Sequence, residues 1–415
     1  MPGETRADME LIFLKVVAFS RPLASMKYFE ALFAVLGIGL FAALFLALLI
    51  RGSLRQSLRL SGVDAAIFAF SIWCLAAGLI YYERFDAGDI MKLLIPLLSY
   101  TVVKNVVSSA QEHRQVMFWA ILGFVVPTLL SALLIAIAHP GAVDMVMYYT
   151  GVTRWQGVYT HSHNLGHSMT LVLMVLALFV TMRAVIPETG GKSRTGETML
   201  IVTIGAIALY CLYMSQVRSA LLGLITFALI YLYFYNKKLL LFGAALVTGI
   251  AVLTIPYWSK VLFPELAGDQ VDPMELGSGR PRLWLNDLTM FLAAPLDQQL
   301  AGLNTGRLGQ YGGGQEVMGH SDWLELVTRT GIVGLLLFAT VQVLILRKIL
   351  RLPPDHRYAF LAMFVAVNVM MCVSNSYVWR IQVSHLYYMV LAFVEVPLIS
   401  VQQTSIIDRR LMRTA

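Results

Sequence analysis

The chain alternates long apolar runs with short polar links over most of its length, and this pattern limits the fold more than any other feature. Of the 415 residues, 58% are hydrophobic and 13% are charged, too few charges to cover a water-soluble globule. In a bilayer only helices or closed barrels satisfy the backbone, and these runs lack the strict alternation of barrel strands. The sequence therefore predicts an all-α polytopic membrane protein.

About twelve runs approach the roughly 20 residues that a helix needs to cross a bilayer. They are 8–25, 28–50, 63–82, 90–108, 115–138, 164–182, 198–214, 219–235, 239–256, 327–346, 357–375 and 383–402. The first run is the weakest, because it contains Lys15 and Arg21, and it could lie at the membrane interface instead. The chain then divides into 1–256 with nine spans, a polar loop with short helices at 257–326, and 327–415 with three spans and a tail.

Basic residues occupy alternate links, and this bias predicts the orientation. The clusters are Arg51, Arg55 and Arg59; Lys104 and Arg114; Arg183, Lys192 and Arg194; Lys237 and Lys238; Arg347, Lys348 and Arg351; and Arg409, Arg410 and Arg413. We expect this face and both termini to be cytoplasmic, and the loop 257–326 to lie outside. The net charge of +7 then reflects orientation and anionic membrane lipids, so no nucleic-acid partner is expected.

Several arginines nevertheless fall on or near the predicted outer side, where cations should be rare. They are Arg154, Arg218, Arg280, Arg282, Arg307, Arg329 and Arg380. A guanidinium group binds phosphate through two parallel donors, so several of them together would form a pyrophosphate clamp. Taken singly, each could instead extend to the interface or pair with a nearby acid.

Two of these arginines lie in informative strings. Arg218 falls at the outer mouth between two runs, where a charge is costly unless it has a partner, which favours a functional role. Arg280 opens a predicted helix with Pro281 in its first turn, and the free N–H groups of a helix start favour a phosphate. A plain helix cap is the alternative, and the neighbouring Arg282 leaves open which arginine would bind phosphate.

His320 is the candidate for acid–base chemistry. It precedes Ser321 and Asp322, either of which can cap the long helix that follows. A helix amino terminus disfavours the imidazolium ion, so we expect His320 to stay neutral and to serve as a general base. The alternative is a purely structural histidine.

A second polar string covers residues 154–167 and contains three histidines. Their spacing fits no standard zinc pattern, and we expect them to cap a helix and line a wet cavity where Arg154 and His163 touch a ligand. Carboxylates at 265, 269, 272 and 275 recur at helical spacing. They could form a divalent-ion site, although a solvated helix face is the ordinary explanation.

Together, four strings resemble the O-antigen ligase and O-antigen polymerase superfamily of bacterial envelope glycosyltransferases. They are Arg-x-x-Gly…His-Asn-x-Gly at 154–166, Ser-x-x-Arg-Ser-Ala at 215–220, Gly-Arg-x-x-x-Trp with a later Pro-Leu…Gly-Leu at 279–303, and His-x-x-x-Leu-Glu…Gly-Ile-x-Gly at 320–334. Each string is weak alone, but their order and their side of the membrane make the set fairly specific.

The resemblance implies a GT-C-type enzyme of the bacterial inner membrane whose donor is a glycan on undecaprenyl pyrophosphate. In a ligase the acceptor is a sugar hydroxyl of lipid A-core, and the product is lipopolysaccharide. It also implies a periplasmic active site, inversion at the anomeric carbon, and work without a metal or other cofactor.

The resemblance also assigns residues. His320 would deprotonate the acceptor, and Arg154, Arg218 and Arg280 would hold the pyrophosphate. Further candidates for substrate contact are Arg282, His163, Asn164, Tyr159 and Trp284.

Two alternatives stay open at this point. A polymerase shares the fold and the motifs, and a ligase is favoured only because the single large outer loop lies late in the chain. A lipid-linked glycan transporter is less favoured, since it should carry polar residues deep in both halves, whereas here they concentrate on one face.

Overall fold

The computed structural model describes residues 2–53, 58–81, 87–147, 152–185, 194–242, 245, 280–302, 321–374 and 381–396, and these are largely helical. The helices are α1 (Pro2–Leu23), α2 (Glu30–Ser53), α3 (Gly62–Tyr81), α4 (Ala87–Val106), α5 (Ala110–Ala136), α6 (Ser162–Val185), α7 (Arg194–Ser215), α8 (Arg218–Tyr235), α9 (Arg280–Ala293), α10 (Leu296–Ala301), α11 (Asp322–Leu350), α12 (Pro354–Val373) and α13 (Ile381–Leu391). Short 3-10 turns cover Pro140–Ala142 and Ala392–Glu395.

Within these ranges, eight helices are long and apolar enough to cross a membrane, namely α2, α3, α5, α6, α7, α8, α11 and α12. The chain is therefore a multi-pass membrane protein. The predicted runs 90–108 and 383–402 give α4 and α13, and the run 8–25 gives α1, but these three are not among the eight. Most of the ninth predicted run, 239–256, falls outside the described residues, so the expected twelve spans are confirmed only in part.

One link departs from the all-α prediction. Residues 139–163, which link the predicted runs 115–138 and 164–182, contain an antiparallel sheet of β1 (Val143–Met147) and β2 (Val152–Trp155). The strands carry Val, Thr and Trp, residues that suit a pleated surface, and Met145 pairs with Arg154. The hairpin fixes the backbone of Arg154, which an irregular loop would leave free.

Helix α6 lies at the centre of the bundle. Its apolar window is 83% buried inside the protein, compared with 22% for α2. A helix that is apolar on all sides suits such a position, because every face meets another helix. It is enclosed by α7, α8, α5 and α12. Its first turns contain the end of the polar string 154–167 and contact the string 215–220.

The end of the bundle formed by the start of α3 and the end of α4 is held by buried charges. Lys104 forms an ion pair with Asp64 and lies 3.5 Å from a Glu395 carboxylate oxygen. Thr101 donates a hydrogen bond to Asp64 at 2.7 Å, and Tyr100 donates one to Glu395 at 3.1 Å. Because the charges are paired and hydrogen-bonded, their burial is tolerated in a low-dielectric setting.

Helices α10 and α11 touch backbone to backbone through two glycines. Gly331 interrupts α11 with φ 72° and ψ −178°, and a Cβ there would lie 2.1 Å from the Leu300 carbonyl oxygen. Gly302 ends α10 with φ 106°, and a Cβ there would lie 2.1 Å from the Arg329 carbonyl oxygen. Only glycine fits both positions, so these residues fix the large polar loop to the membrane helix.

We expect Gly331→Ala to destabilise the protein by about 3 kcal/mol or more, because the backbone conformation and the lack of space both exclude a side chain. The matched control is Gly39→Ala in α2, where a Cβ would meet nothing within 4 Å. Thermal unfolding of both variants in detergent measures the difference. Equal melting temperatures for the two variants would contradict the proposed contact.

Candidate functional site

A tight reversal between α7 and α8 positions Arg218. Only Gln216 and Val217 separate the two helices, and Gln216 adopts φ 53°, a left-handed conformation that is uncommon outside glycine. The Gln216 side-chain amide donates a hydrogen bond to the Tyr213 carbonyl at 2.8 Å. Arg218 is therefore the first residue of α8, at the end of the bundle opposite the Lys104 network.

Helix α6 supports this reversal from inside the bundle. A Cβ on Gly166 would lie 2.9 Å from the Val217 Cβ, so glycine lets the two backbones approach. Nε2 of His167 lies 3.1 Å from the Ser219 hydroxyl, and Thr170 donates a hydrogen bond to the Ala220 carbonyl. The strings at 154–166 and 215–220 therefore pack against each other, and Arg218 belongs to the second string.

The hairpin that carries Arg154 is joined to the start of α6. The backbone N–H and hydroxyl of Ser162 donate hydrogen bonds to Asp144 at 3.1 and 2.7 Å. Burial alone would raise the pKa of Asp144, but these bonds and the nearby His161 lower it below its usual value. The ionised carboxylate therefore caps α6 and fixes β1, the strand that pairs with β2.

Arg280 is anchored at the end of α12. Its Nη1 donates a hydrogen bond to the Val373 carbonyl, and the backbone N–H of Asp322 donates one to the Ser374 carbonyl at 3.0 Å. The last carbonyls of a helix have no partner within that helix, so they are ready acceptors. The starts of α9 and α11 therefore meet at one point.

The structure brings Arg154, Arg218 and Arg280 into one region. Burial lowers the pKa of Arg280, and the positive charges of Arg218 and Arg154 lower it further. Arg218 and Arg280 are also the first residues of α8 and α9, where backbone N–H groups and the helix dipole favour anions. These features would suit an anionic ligand, and a role in binding pyrophosphate stays a prediction.

The neighbouring arginines are placed differently. Arg282 is exposed, whereas Arg280 is half-buried, so the geometry favours Arg280 as the inward-facing group. Arg329 forms an ion pair with Glu325 one turn earlier in α11. Arg307 and Arg380 lie outside the described residues.

His320 also lies outside the described residues, as do 277–279 and the carboxylates at 265–275. The cap that follows His320 is visible, because the Ser321 hydroxyl accepts a hydrogen bond from the Leu324 backbone N–H and α11 begins at Asp322. The predicted cap is confirmed. It extends the helix beyond the predicted run, which began at residue 327, and general-base catalysis by His320 stays a prediction.

The other candidates of the polar string 154–167 surround the start of α6. His163 is half-buried with its ring 6.1 Å from that of His167, and Asn164 donates a hydrogen bond to Thr160 at 2.7 Å. Tyr159 is fully buried and its backbone bridges to Met26, a placement that favours support over substrate contact. In the described part of the chain, no three His, Cys, Asp or Glu residues are grouped as metal ligands.

One face of α9 contains a residue that the sequence analysis missed. Arg280, Trp284, Asp287 and Phe291 are spaced by four, three and four residues, so they share a face. Asp287 is only 6% exposed, and burial raises its pKa to about 6. The helical spacing was legible in the sequence, but the burial of the carboxyl group was not.

Asp287→Asn should stabilise the protein at neutral pH. The folded-state pKa of about 6 exceeds the ordinary 3.8, so ionisation of Asp287 costs stability as pH rises through that window. The full penalty, at most about 3 kcal/mol, is present above pH 6 and vanishes below about pH 4. Asparagine cannot ionise and escapes it.

Melting temperatures of Asp287→Asn and the unchanged protein at pH 8, 5 and 4 check this prediction. The exposed Asp297, on α10, provides the matched control Asp297→Asn. A variant that is less stable at pH 8, or equally shifted at all three pH values, would show that burial does not raise the pKa of Asp287.

Comparison with known proteins gives one family. Residues 203–339 match the family model described as O-antigen ligase, a stretch that includes the Arg218 reversal, all of α9 and the first half of α11. This match supports membership in the family expected from the motifs. No curated protein matches the chain.

Proposed function

We propose, from the membership of residues 203–339 in the O-antigen ligase family, that this chain transfers a glycan from undecaprenyl pyrophosphate to a sugar hydroxyl of lipid A-core. The observation that carries the proposal is the meeting of Arg154, Arg218 and Arg280 at the starts of α8 and α9. Such a region suits a group with two phosphates, which can accept donors from several guanidinium and backbone N–H groups at once.

In the proposed reaction, the acceptor hydroxyl oxygen attacks the anomeric carbon of the donor sugar. The bond from that carbon to the phosphate oxygen breaks, and undecaprenyl pyrophosphate leaves with the electron pair. His320 takes the hydroxyl proton, and attack opposite the phosphate inverts the anomeric centre. Charge grows on the pyrophosphate in the transition state, so the arginines stabilise that state more than the bound substrate.

The position of the site fits a lipid-linked donor. Arg218 lies at the end of the membrane helix α8, and Arg280 bonds to the Val373 carbonyl at the end of the membrane helix α12. Exposed apolar side chains such as Leu222 continue along α8 below Arg218. A diphosphate at that level leaves its prenyl chain in the bilayer, beside the helices. We place this end on the periplasmic face of the inner membrane and both termini in the cytoplasm, following the distribution of basic links.

Polymerisation of the same donor is the nearest alternative, since a polymerase would use the same pyrophosphate region with another acceptor. The two activities leave different products in a strain that lacks the gene. Loss of a ligase leaves lipid A-core without repeat units, whereas loss of a polymerase leaves core lipid with one unit.

Replacing Arg218, Arg280 or His320 with alanine should each lower turnover by about 10²–10³, because each removes a group that acts on developing charge or on the transferred proton. The variants are read by lipopolysaccharide gels after complementation of the null strain, and by turnover of purified protein. The control is Arg347→Ala, an exposed arginine at the far end of α11.

Arg347→Ala should give full ladders. Full ladders from His320→Ala would remove His320 from the mechanism, and full ladders from both arginine variants would remove the pyrophosphate clamp. A metal requirement is tested separately, since turnover abolished by chelator and restored by a divalent ion would contradict the metal-free prediction.

A further inference from the structure

The inward face of α9 carries two polar groups in addition to Arg280. The indole Nε1 of Trp284 is buried and has no acceptor in the part of the chain that the structure describes. The carboxyl group of Asp287 is on a residue that is 6% exposed, and no hydrogen bond or ion pair joins it to another described residue. Enclosed polar groups are nearly always paired, because leaving one without a partner costs free energy.

Packing of α9 does not require these polar groups. One turn further along the same face, Phe291 is 3% exposed and fills its place with an apolar ring. Apolar side chains at 284 and 287 would pack equally well and avoid the cost of burying a donor and a carboxyl group. The two polar groups are confined to the turns nearest Arg280, which suggests that their partner arrives with the ligand of that arginine.

The spacing of the three residues fits a sugar next to a diphosphate. Trp284 and Asp287 follow Arg280 by about 6 and 10 Å along the helix axis, at 1.5 Å per residue. A pyranose ring attached to the diphosphate falls within that distance. It offers hydroxyl oxygens for an indole N–H, hydroxyl hydrogens for a carboxylate, and C–H faces for an aromatic ring.

We propose that Trp284 and Asp287 form a subsite for the first sugar of the lipid-linked donor, the unit bound directly to the pyrophosphate. Asp287 accepts hydrogen bonds from hydroxyl groups of that sugar, and Trp284 donates its N–H and covers the ring. The inference rests on the proposed function, since Arg280 must hold the diphosphate for the sugar to lie here. It makes Asp287 a determinant of which donors are accepted.

The test uses the purified full chain in nanodiscs, with the glycan-bearing donor and with undecaprenyl pyrophosphate that carries no glycan. For Asp287→Ala and Trp284→Phe we expect KM for the donor to rise about tenfold, the usual effect of losing a hydrogen bond to a charged or buried group, with kcat changed far less. Inhibition by the glycan-free lipid should be unchanged in both variants. Asp297→Asn should behave as the unchanged protein.

Donors that lack single hydroxyl groups on the first sugar locate the contact. One of these deoxy donors should lack the hydroxyl group that Asp287 contacts. Asp287→Ala and the unchanged protein should then have equal KM values for that donor, because neither can form the hydrogen bond. The same penalty with every deoxy donor, or an equal loss of inhibition by the glycan-free lipid, would show that Asp287 only supports the fold.

The two proposals fail differently. If the glycan-free lipid does not inhibit the unchanged protein, or inhibits Arg280→Ala equally well, the pyrophosphate site is wrong and the subsite falls with it. If Arg280→Ala loses that inhibition while Asp287→Ala and Trp284→Phe keep the donor KM of the unchanged protein, only the sugar subsite is wrong. Should Asp287→Ala fail to fold, Asp287→Asn keeps the side-chain shape and takes its place in both experiments.

Discussion

The carbonyl groups at the end of α12, which a regular helix does not satisfy internally, hold the candidate site together. The Arg280 side chain bonds to the Val373 carbonyl, and the start of α11 bonds to the Ser374 carbonyl. The hydrogen bond to Val373 holds the Arg280 side chain where the positive charges of Arg218 and Arg154 lower its pKa. A helix end supplies acceptors that no regular helix can satisfy internally, and the fold uses them to bring together segments that are far apart in the sequence.

The glycines and the arginines of the four family strings have different roles in this arrangement. Gly166 lets α6 approach the reversal before Arg218, while Gly302 and Gly331 let α10 meet the kink in α11. Each glycine removes a side chain where backbones or side chains come within contact distance. Arg218 therefore stands on a position fixed by close packing, which is what the proposed transfer reaction would require.

Much of the fold and part of the site followed from the sequence, because both depend on one-dimensional signals. Apolar length predicted the helices. Arginines on the unexpected side, together with the family resemblance, selected Arg154, Arg218 and Arg280, which the structure brings into one region and whose role in binding pyrophosphate stays a prediction. The hairpin was missed because strand pairing is decided by contacts outside each strand, and α11 began early because Ser321 caps it. Asp287 was missed because its burial depends on what α9 packs against, which no local pattern records.

The two ends of the bundle differ in the groups that surround their buried positive charges. At one end Lys104 is buried against the carboxylates of Asp64 and Glu395, so its charge is neutralised within the fold. At the other end Arg280 is half-buried with a carbonyl as its hydrogen-bond acceptor and with two more arginines nearby. In the proposed function, a bound diphosphate would relieve that repulsion. The same positive charges would then attract the donor and, as the pyrophosphate departs, the leaving group.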